Sequence, residues 1–195
     1  MQKTIPTIFL ALAVLFATAG TSWSQVVQWD DLVYRDGLYY QKFSDVPFTG
    51  EVTGLRQGSI KDGKRNGPWV VYYPNGQLWS KGNYIDGKED GHWDWYWDNG
   101  QLLQKGNYID GKKDGPWIRY RPEGQLWTKE NHIDGKEGGP FASYYKNGQL
   151  WAKGNHINGV KDGPWVGYHD NGQLRRKGNY INGKEDGPWV WYNED

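Results

Sequence analysis

The sequence predicts an all-β protein, an elongated single-layer antiparallel sheet of tandem 24-residue β-hairpin repeats. The first observation is a Gly-Pro-Trp-type motif that starts at residues 67, 91, 115, 139, 163 and 187, always 24 residues apart. The second is composition, because 28 Gly, 13 Trp and 14 Tyr among 195 residues suit short strands and tight turns. The third is a Gly-Gln-Leu motif in the middle of each complete unit, preceded by Asn except at Glu123.

Residues 1–24 have the layout of a secretory signal peptide. Lys3 precedes the apolar run from Ile5 to Ala17, and small residues follow as far as Ser24. The apolar run is shorter than a bilayer-spanning helix, so no transmembrane segment is expected after cleavage. The sequence therefore predicts export to the periplasm or the extracellular space.

Residues 25–66 are predicted to form an N-terminal cap and a degenerate repeat. The stretch from Leu32 to Tyr40 reads as a hairpin around an Asp36-Gly37 turn. Terminal repeats of an array are usually atypical, because one of their faces has no neighbouring unit.

Residues 67–195 are predicted to form the repeat array, with five full units and a partial sixth. In the first unit, residues 69–73 read as a strand, Asn75-Gly76 as a type I′ turn, residues 77–85 as the returning strand and residues 86–91 as a polar turn. This turn would place Trp69 opposite Gly82 and Tyr72 opposite Trp79.

The same register predicts a candidate binding face on which Trp and Lys residues lie side by side. Tryptophan rings can stack on sugars or hold cationic groups. The alternative is that the rings only stabilise a thin sheet. The residues of this candidate face are Trp79, Lys81, Trp127, Lys129, Trp151 and Lys153.

The sequence predicts no catalytic residue, no metal site and no cofactor. Histidines replace other residues within repeated columns, as His132 and His156 do at the position of Tyr84, so structural roles are expected for them. The acidic turns resemble a calcium loop, but Lys88 stands where a ligand is needed. The absence of cysteine excludes disulfides and thiolate chemistry. Lys+Arg and Asp+Glu both number 23, which gives no basic bias towards nucleic acid.

The repeated motif resembles the MORN-repeat variant found in bacterial proteins grouped with the YwqK-type antitoxins. The residues that carry the resemblance are Gly-Pro-Trp-x-x-Tyr-Tyr-x-Asn-Gly-Gln-Leu, followed by Lys-Gly-Asn-Tyr-x-x-Gly-Lys, as in residues 67–88. The resemblance implies an array of hairpins used as a scaffold, and it implies fold more strongly than activity.

These observations together predict an exported, non-enzymatic scaffold whose partner is a protein. The alternative is a module that binds a glycan or envelope polymer through the aromatic face. An antitoxin-like protein is the third hypothesis, although an export signal is unexpected in a protein that acts on a cytoplasmic toxin.

Overall fold

The computed structural model describes residues 25–194 and shows a long, mostly antiparallel sheet of successive hairpins. The predicted fold class is confirmed. The predicted signal peptide, residues 1–24, lies outside the described residues. Within the described part of the chain, no helix has the length and apolar character needed to cross a bilayer.

The N-terminal region builds one edge of the long sheet and adds a small separate hairpin. Strand β1 (Gln25–Gln28) pairs in parallel with β4 (Gly50–Thr53), and β5 (Arg56–Lys61) pairs antiparallel with β4. A 3₁₀ turn (Trp29–Asp31) follows β1. The separate hairpin consists of β2 (Leu32–Arg35) and β3 (Leu38–Gln41), joined at the predicted Asp36-Gly37 turn.

The rest of the sheet consists of strands in sequence order, so each unit pairs only with its neighbours. These strands are β6 (Lys64–Tyr72), β7 (Leu78–Ile85), β8 (Lys88–Tyr96), β9 (Leu102–Ile109), β10 (Lys112–Tyr120), β11 (Leu126–Ile133), β12 (Lys136–Glu137), β13 (Gly139–Tyr144), β14 (Leu150–Ile157), β15 (Val160–Tyr168), β16 (Leu174–Ile181) and β17 (Lys184–Trp191). Strands β12 and β13 together occupy the place of one long strand in the other units. They are separated at Gly138, whose N–H donates to the Asn131 carbonyl at 2.9 Å.

The two kinds of turn are the reverse of those predicted. Asp86 and Gly87 have φ values of 50° and 85°, as a type I′ turn requires, so the predicted polar turn of residues 86–91 is a two-residue turn followed by a strand. The type I′ assignment of Asn75-Gly76 is wrong, because only Gly76 has a positive φ, at 84°. The Asn75 side chain instead accepts a hydrogen bond from the Gln77 N–H at 3.0 Å, which stabilises a three-residue loop.

The longer loop changes the register beside it. Trp69 faces Gly82 as predicted, but Tyr72 faces Leu78, so the predicted pairing of Tyr72 with Trp79 is wrong. An odd-numbered loop shifts the two strands by one residue, and a β-bulge at Trp79 restores the pairing farther along the hairpin. The same bulge recurs in the following hairpins.

Alternation along the strands gives the sheet an apolar face and a polar face. We call the first the inner face; in the first unit it carries Trp69, Val71, Ser80 and Tyr84, all buried. The opposite, outer face carries Val70, Lys81 and Ile85 and their equivalents. Neighbouring units contact each other on the inner face through edge-to-face rings such as Tyr84 and Trp93, whose centroids are 5.1 Å apart.

The N-terminal hairpin covers one end of the inner face. The Tyr39 N–H donates to the Gly63 carbonyl at 2.8 Å, which fixes strand β3 on the array. Trp29 packs edge-to-face on Trp69, with ring centroids 6.1 Å apart. The hydrophobic cluster of the protein is centred here and continues to Trp93.

Candidate functional site

Charged residues form a row along the inner face, and their sign alternates from one unit to the next. The row runs beside the residues at positions equivalent to Tyr84. Glu89, for example, is the cross-strand partner of Tyr84. This row was not recognised in the sequence, although its members are spaced by 24 residues. Its members are Arg65, Glu89, Lys113, Glu137, Lys161 and Glu185.

The first member of the row, Arg65, is held by hydroxyl groups and aromatic rings of the protein itself. Its guanidinium donates to the Tyr84 hydroxyl at 2.9 Å and to the Tyr39 hydroxyl at 2.7 Å. It also lies 5.1–5.5 Å from the ring centroids of four aromatic residues, including Trp29 and Trp69. Burial raises the pKa of Tyr84 to about 12, against the opposing effect of Arg65. This end of the inner face is therefore a closed structural cluster.

A cluster of metal-ligand types lies in the middle of the array, where no metal site was predicted. Glu130, His132 and Glu137 bring potential ligand atoms within 4.8 Å of one another. Burial, with Lys113 as a secondary cause, lowers the pKa of His132. One Glu130 oxygen lies 3.6 Å from Arg119. These neighbouring cations oppose the binding of a metal ion, so the cluster fits an internal charge network better than a metal centre.

The other end of the inner face contains an open cavity of about 200 Å³. It forms beside Gly167, which occupies the position of Val71. In the second unit Trp95 fills the same position and stacks on Trp93, with ring centroids 5.5 Å apart. Aromatic rings and cations surround the cavity. The residues that matter for its chemistry are Phe141, Trp165, Trp189, Lys161, Arg175 and Arg176.

The three predicted tryptophans of the candidate binding face are 40–43% exposed. Each lies at a β-bulge, which interrupts the alternation that the sequence analysis used to place it beside a lysine. Trp79 contacts Tyr73, with ring centroids 6.3 Å apart, Trp127 lies under the Arg121 guanidinium, and Trp151 lines the cavity.

The lysines of the candidate face lie on the outer face of the sheet. Lys81 is 3.5 Å from the Asp94 carboxylate and lies over the Tyr96 ring. Lys129 and Lys153 pair across the sheet with Ile118 and Ala142. A role for these lysines and the tryptophans in binding stays a prediction.

An apolar row on the outer face was not recognised in the sequence. It consists of the last residue of every returning strand, beside the two-residue turns, and each side chain is 50–62% exposed. The 24-residue spacing of a hydrophobic residue before Asp-Gly or Asn-Gly could have revealed it. We call it the isoleucine row: Ile85, Ile109, Ile133, Ile157 and Ile181.

The fold and its repeated faces define a tandem β-hairpin repeat protein. Four segments, residues 65–86, 89–110, 137–158 and 161–182, match the family model described as MORN repeat variant. The chain therefore contains four tandem MORN-variant repeats. The matched segments do not include Glu130.

Comparison with other proteins adds little beyond the repeat. No curated protein sequence matches the chain. Among solved structures, it is similar to one titled "Crystal structure of GtfA/B complex bound to UDP and GlcNAc", with 18% identity and a TM-score of 0.25. The similarity covers 71% of this chain and 25% of that chain, so the protein spans about a quarter of that one's length.

Proposed function

We propose that this repeat protein is an exported, non-enzymatic scaffold that binds a protein partner through the isoleucine row. Tandem MORN repeats suggest a scaffold for protein or membrane interaction. The observation that favours a protein partner is the row itself, because five large apolar side chains are exposed in register on one face. The aliphatic stems of lysines such as Lys88 and Lys112 lie between the isoleucines and can add apolar area to the row, and an exposed apolar patch is typical of interaction sites.

The geometry of the row suits an extended contact. Each unit contributes two strands about 4.8 Å apart, so successive isoleucines lie roughly 10 Å apart and the row is about 40 Å long. Lysines lie between successive isoleucines, because Lys88 is the cross-strand partner of Ile85 and Lys112 is that of Ile109. Their ammonium groups reach Asp110 and Asp134 in the turns, at 2.7 and 2.6 Å. The row thus combines apolar side chains with charged groups, as the surface of a protein interface does.

Export is supported by the residues before the described region. Lys3 and the apolar run from Ile5 to Ala17 have the order of a secretory signal. N-terminal sequencing of the protein from a cell-envelope fraction tests this. A chain recovered only from the cytosol, with Met1 intact, would contradict export and favour the antitoxin-like hypothesis.

A photocrosslinking amino acid at Ile133 tests the interface. We expect it to capture one specific protein from the envelope, identified by mass spectrometry. The triple variant Ile109→Ser, Ile157→Ser and Ile181→Ser should lose this product. A matched control replaces Val46 and Leu55, two exposed apolar residues of the N-terminal region, with serine. Retention of the product by the triple variant would contradict the proposal.

A second candidate function is the binding of a glycan or envelope polymer. It is favoured by the three tryptophans that are about 40% exposed, whereas most of the other rings in the described part of the chain are buried or half-buried. Sugar binding should shift tryptophan fluorescence, and replacing Trp79, Trp127 and Trp151 with leucine should abolish it. Leucine occurs naturally at this position as Leu103, so the variant should fold. A folded variant with full binding to cell-wall material would exclude this mechanism.

A further inference from the structure

We propose that the cavity at the C-terminal end of the inner face is a binding site for a small organic anion that carries a flat apolar group. The site is separate from the isoleucine row, which lies on the outer face. The inference stands on the shape, the charge and the unpaired donors of the cavity, and it does not depend on the scaffold function.

The shape comes from small residues at positions that are filled elsewhere in the array. Gly167 occupies the position of Val71 and Trp95, and Ala152 occupies the position of Gln104. The walls are aromatic: Phe141 and Trp165 have centroids 5.5 Å apart and planes inclined at 32°. A flat apolar group can therefore contact ring surfaces on entering the cavity.

The charge of the cavity is positive. Its lining contains Lys161, Arg175 and Arg176 but one carboxylate, Glu137, which lies 3.4 Å from His156. Among residues 25–194, no carboxylate oxygen lies within 4 Å of those three cationic groups. Burial, followed by the charge of Arg176, lowers the pKa of Lys161, and the charge of Glu185 opposes this shift only in part.

Gly167 makes room for the two arginines. A Cβ at this glycine would lie 3.2 Å from Arg176 Cγ and 3.7 Å from Arg175 Nη2, so both side chains extend over its backbone. Arg176 also lies 5.4 Å from the centroid of Trp189. The cations are thus held against ring faces, where an anion can pair with them while its apolar part packs on the rings.

Two donors on residues that line the cavity, Arg175 Nε and Trp189 Nε1, have no acceptor among residues 25–194. Unpartnered arginine Nε atoms also occur elsewhere in the array, so the Trp189 indole is the donor that sets this end apart. The equivalent indoles donate to the backbone, as Trp93 does to the Asn83 carbonyl at 3.1 Å. A buried donor without an acceptor is costly, so a small turn of the Trp189 ring towards an anionic ligand would be favourable.

The opposite end of the inner face shows the closed form of the same arrangement. There the hydroxyl of Tyr39, in the N-terminal hairpin, accepts a hydrogen bond from Arg65, the counterpart of Lys161 in the charged row. Within the described residues, Lys161 has no such hairpin over it. A cation therefore lies among aromatic rings at both ends of the inner face. The space beside it is filled by the protein at the N-terminal end and is open at the C-terminal end.

The test uses a pair of fluorescent probes with the same ring system. 1-Anilinonaphthalene-8-sulfonate carries an anion, and N-phenyl-1-naphthylamine is neutral. We expect saturable binding of the anionic probe to the mature protein. The variant R175L/R176Q introduces the residues found at Leu103 and Gln104. It should weaken binding of the anionic probe about tenfold or more and change the affinity for the neutral probe by no more than about twofold.

A second variant tests the cavity rather than the charge. Gly167→Val inserts the residue that occupies this position as Val71, and it should abolish binding of both probes. Circular dichroism and melting curves check that each variant is folded. Wild-type affinity for the anionic probe in folded R175L/R176Q would overturn the proposal. So would loss of binding in a Trp79→Leu/Trp127→Leu control with retention in the cavity variants, because the probe would then report the exposed tryptophans.

Discussion

The indole ring of Trp93 lies directly over Gly82 of the preceding unit, where a Cβ would overlap the ring. The same relationship joins Trp117 to Gly106 and Trp165 to Gly154. The indole N–H of Trp93 also donates to the Asn83 carbonyl. Each unit therefore completes the packing of the unit before it, as expected of an array in which one hairpin alone is marginally stable.

Gly106→Ala should destabilise the protein, because the added methyl group collides with the buried ring of Trp117. Overpacking of this kind costs about 1–3 kcal/mol. The control is Gly138→Ala, where the new Cβ would meet the flexible end of Ile133 at 3.2 Å and the backbone does not require glycine. Thermal melting measures both. Equal shifts for the two variants would contradict the packing argument.

The unit that breaks the pattern offers a compensation test. Glu130 takes the place of the glycine, and Phe141 takes the place of the tryptophan that would cover it. We expect Phe141→Trp alone to lower the melting temperature, because the larger ring meets the Glu130 side chain. Combined with Glu130→Gly, the same change should be tolerated.

A double-mutant cycle on melting free energies measures this coupling, which should favour the Gly–Trp pair by about 0.5–3 kcal/mol. Additive effects of the two substitutions would show that the pairing of residue types has no energetic basis. The variant Glu130→Gly alone serves as the reference, because it also removes the contact with Thr128.

Gly76→Val should destabilise the protein more than Trp79→Leu. Gly76 has a φ of 84°, and nothing lies within 4 Å of a Cβ built there, so the cost is purely one of backbone conformation. A left-handed β-branched residue costs about 1–3 kcal/mol. Trp79→Leu introduces the residue that the next unit has at the equivalent position, Leu103, so a smaller effect is expected. Similar melting temperatures for the two variants would contradict the loop geometry.

The protein should lose stability in acid partly through its buried histidines. Burial lowers the pKa of both His132 and His156 in the folded chain. The folded state then binds their protons less tightly than the unfolded state, for which the pKa is about 6.5. Their contribution is complete above that value and is lost as the pH falls through the lower folded values.

Melting curves between pH 8 and 4 compare the wild type with the His132→Tyr/His156→Tyr variant, which restores the residue of Tyr84 and Tyr180. Carboxylates titrate in both proteins, so the difference between the two sets of melting curves reports the contribution of the histidines to stability. We expect the variant to lose less stability below pH 6.5. Parallel curves would show that the two histidines do not contribute.

The sequence by itself determined the features that depend on near neighbours along the chain. The 24-residue period, the strand composition and the turn residues predicted the hairpin array, and the pairing of Trp69 with Gly82 followed from them. The charged row and the isoleucine row were equally present in the sequence. They were missed because their meaning depends on which face each position occupies.

The tertiary structure alone decided which turns are tight, where the bulge at Trp79 falls and which ring covers which glycine. Asn75-Gly76 and Asp86-Gly87 have similar turn propensities, but the Asn75 side chain donates to the Asp98 carbonyl of the next unit at 3.1 Å while it accepts from the Gln77 N–H. The cavity beside Gly167 is a space between aromatic rings that three different units contribute. Strand pairing is encoded locally, whereas such a space is defined only when distant side chains are brought together.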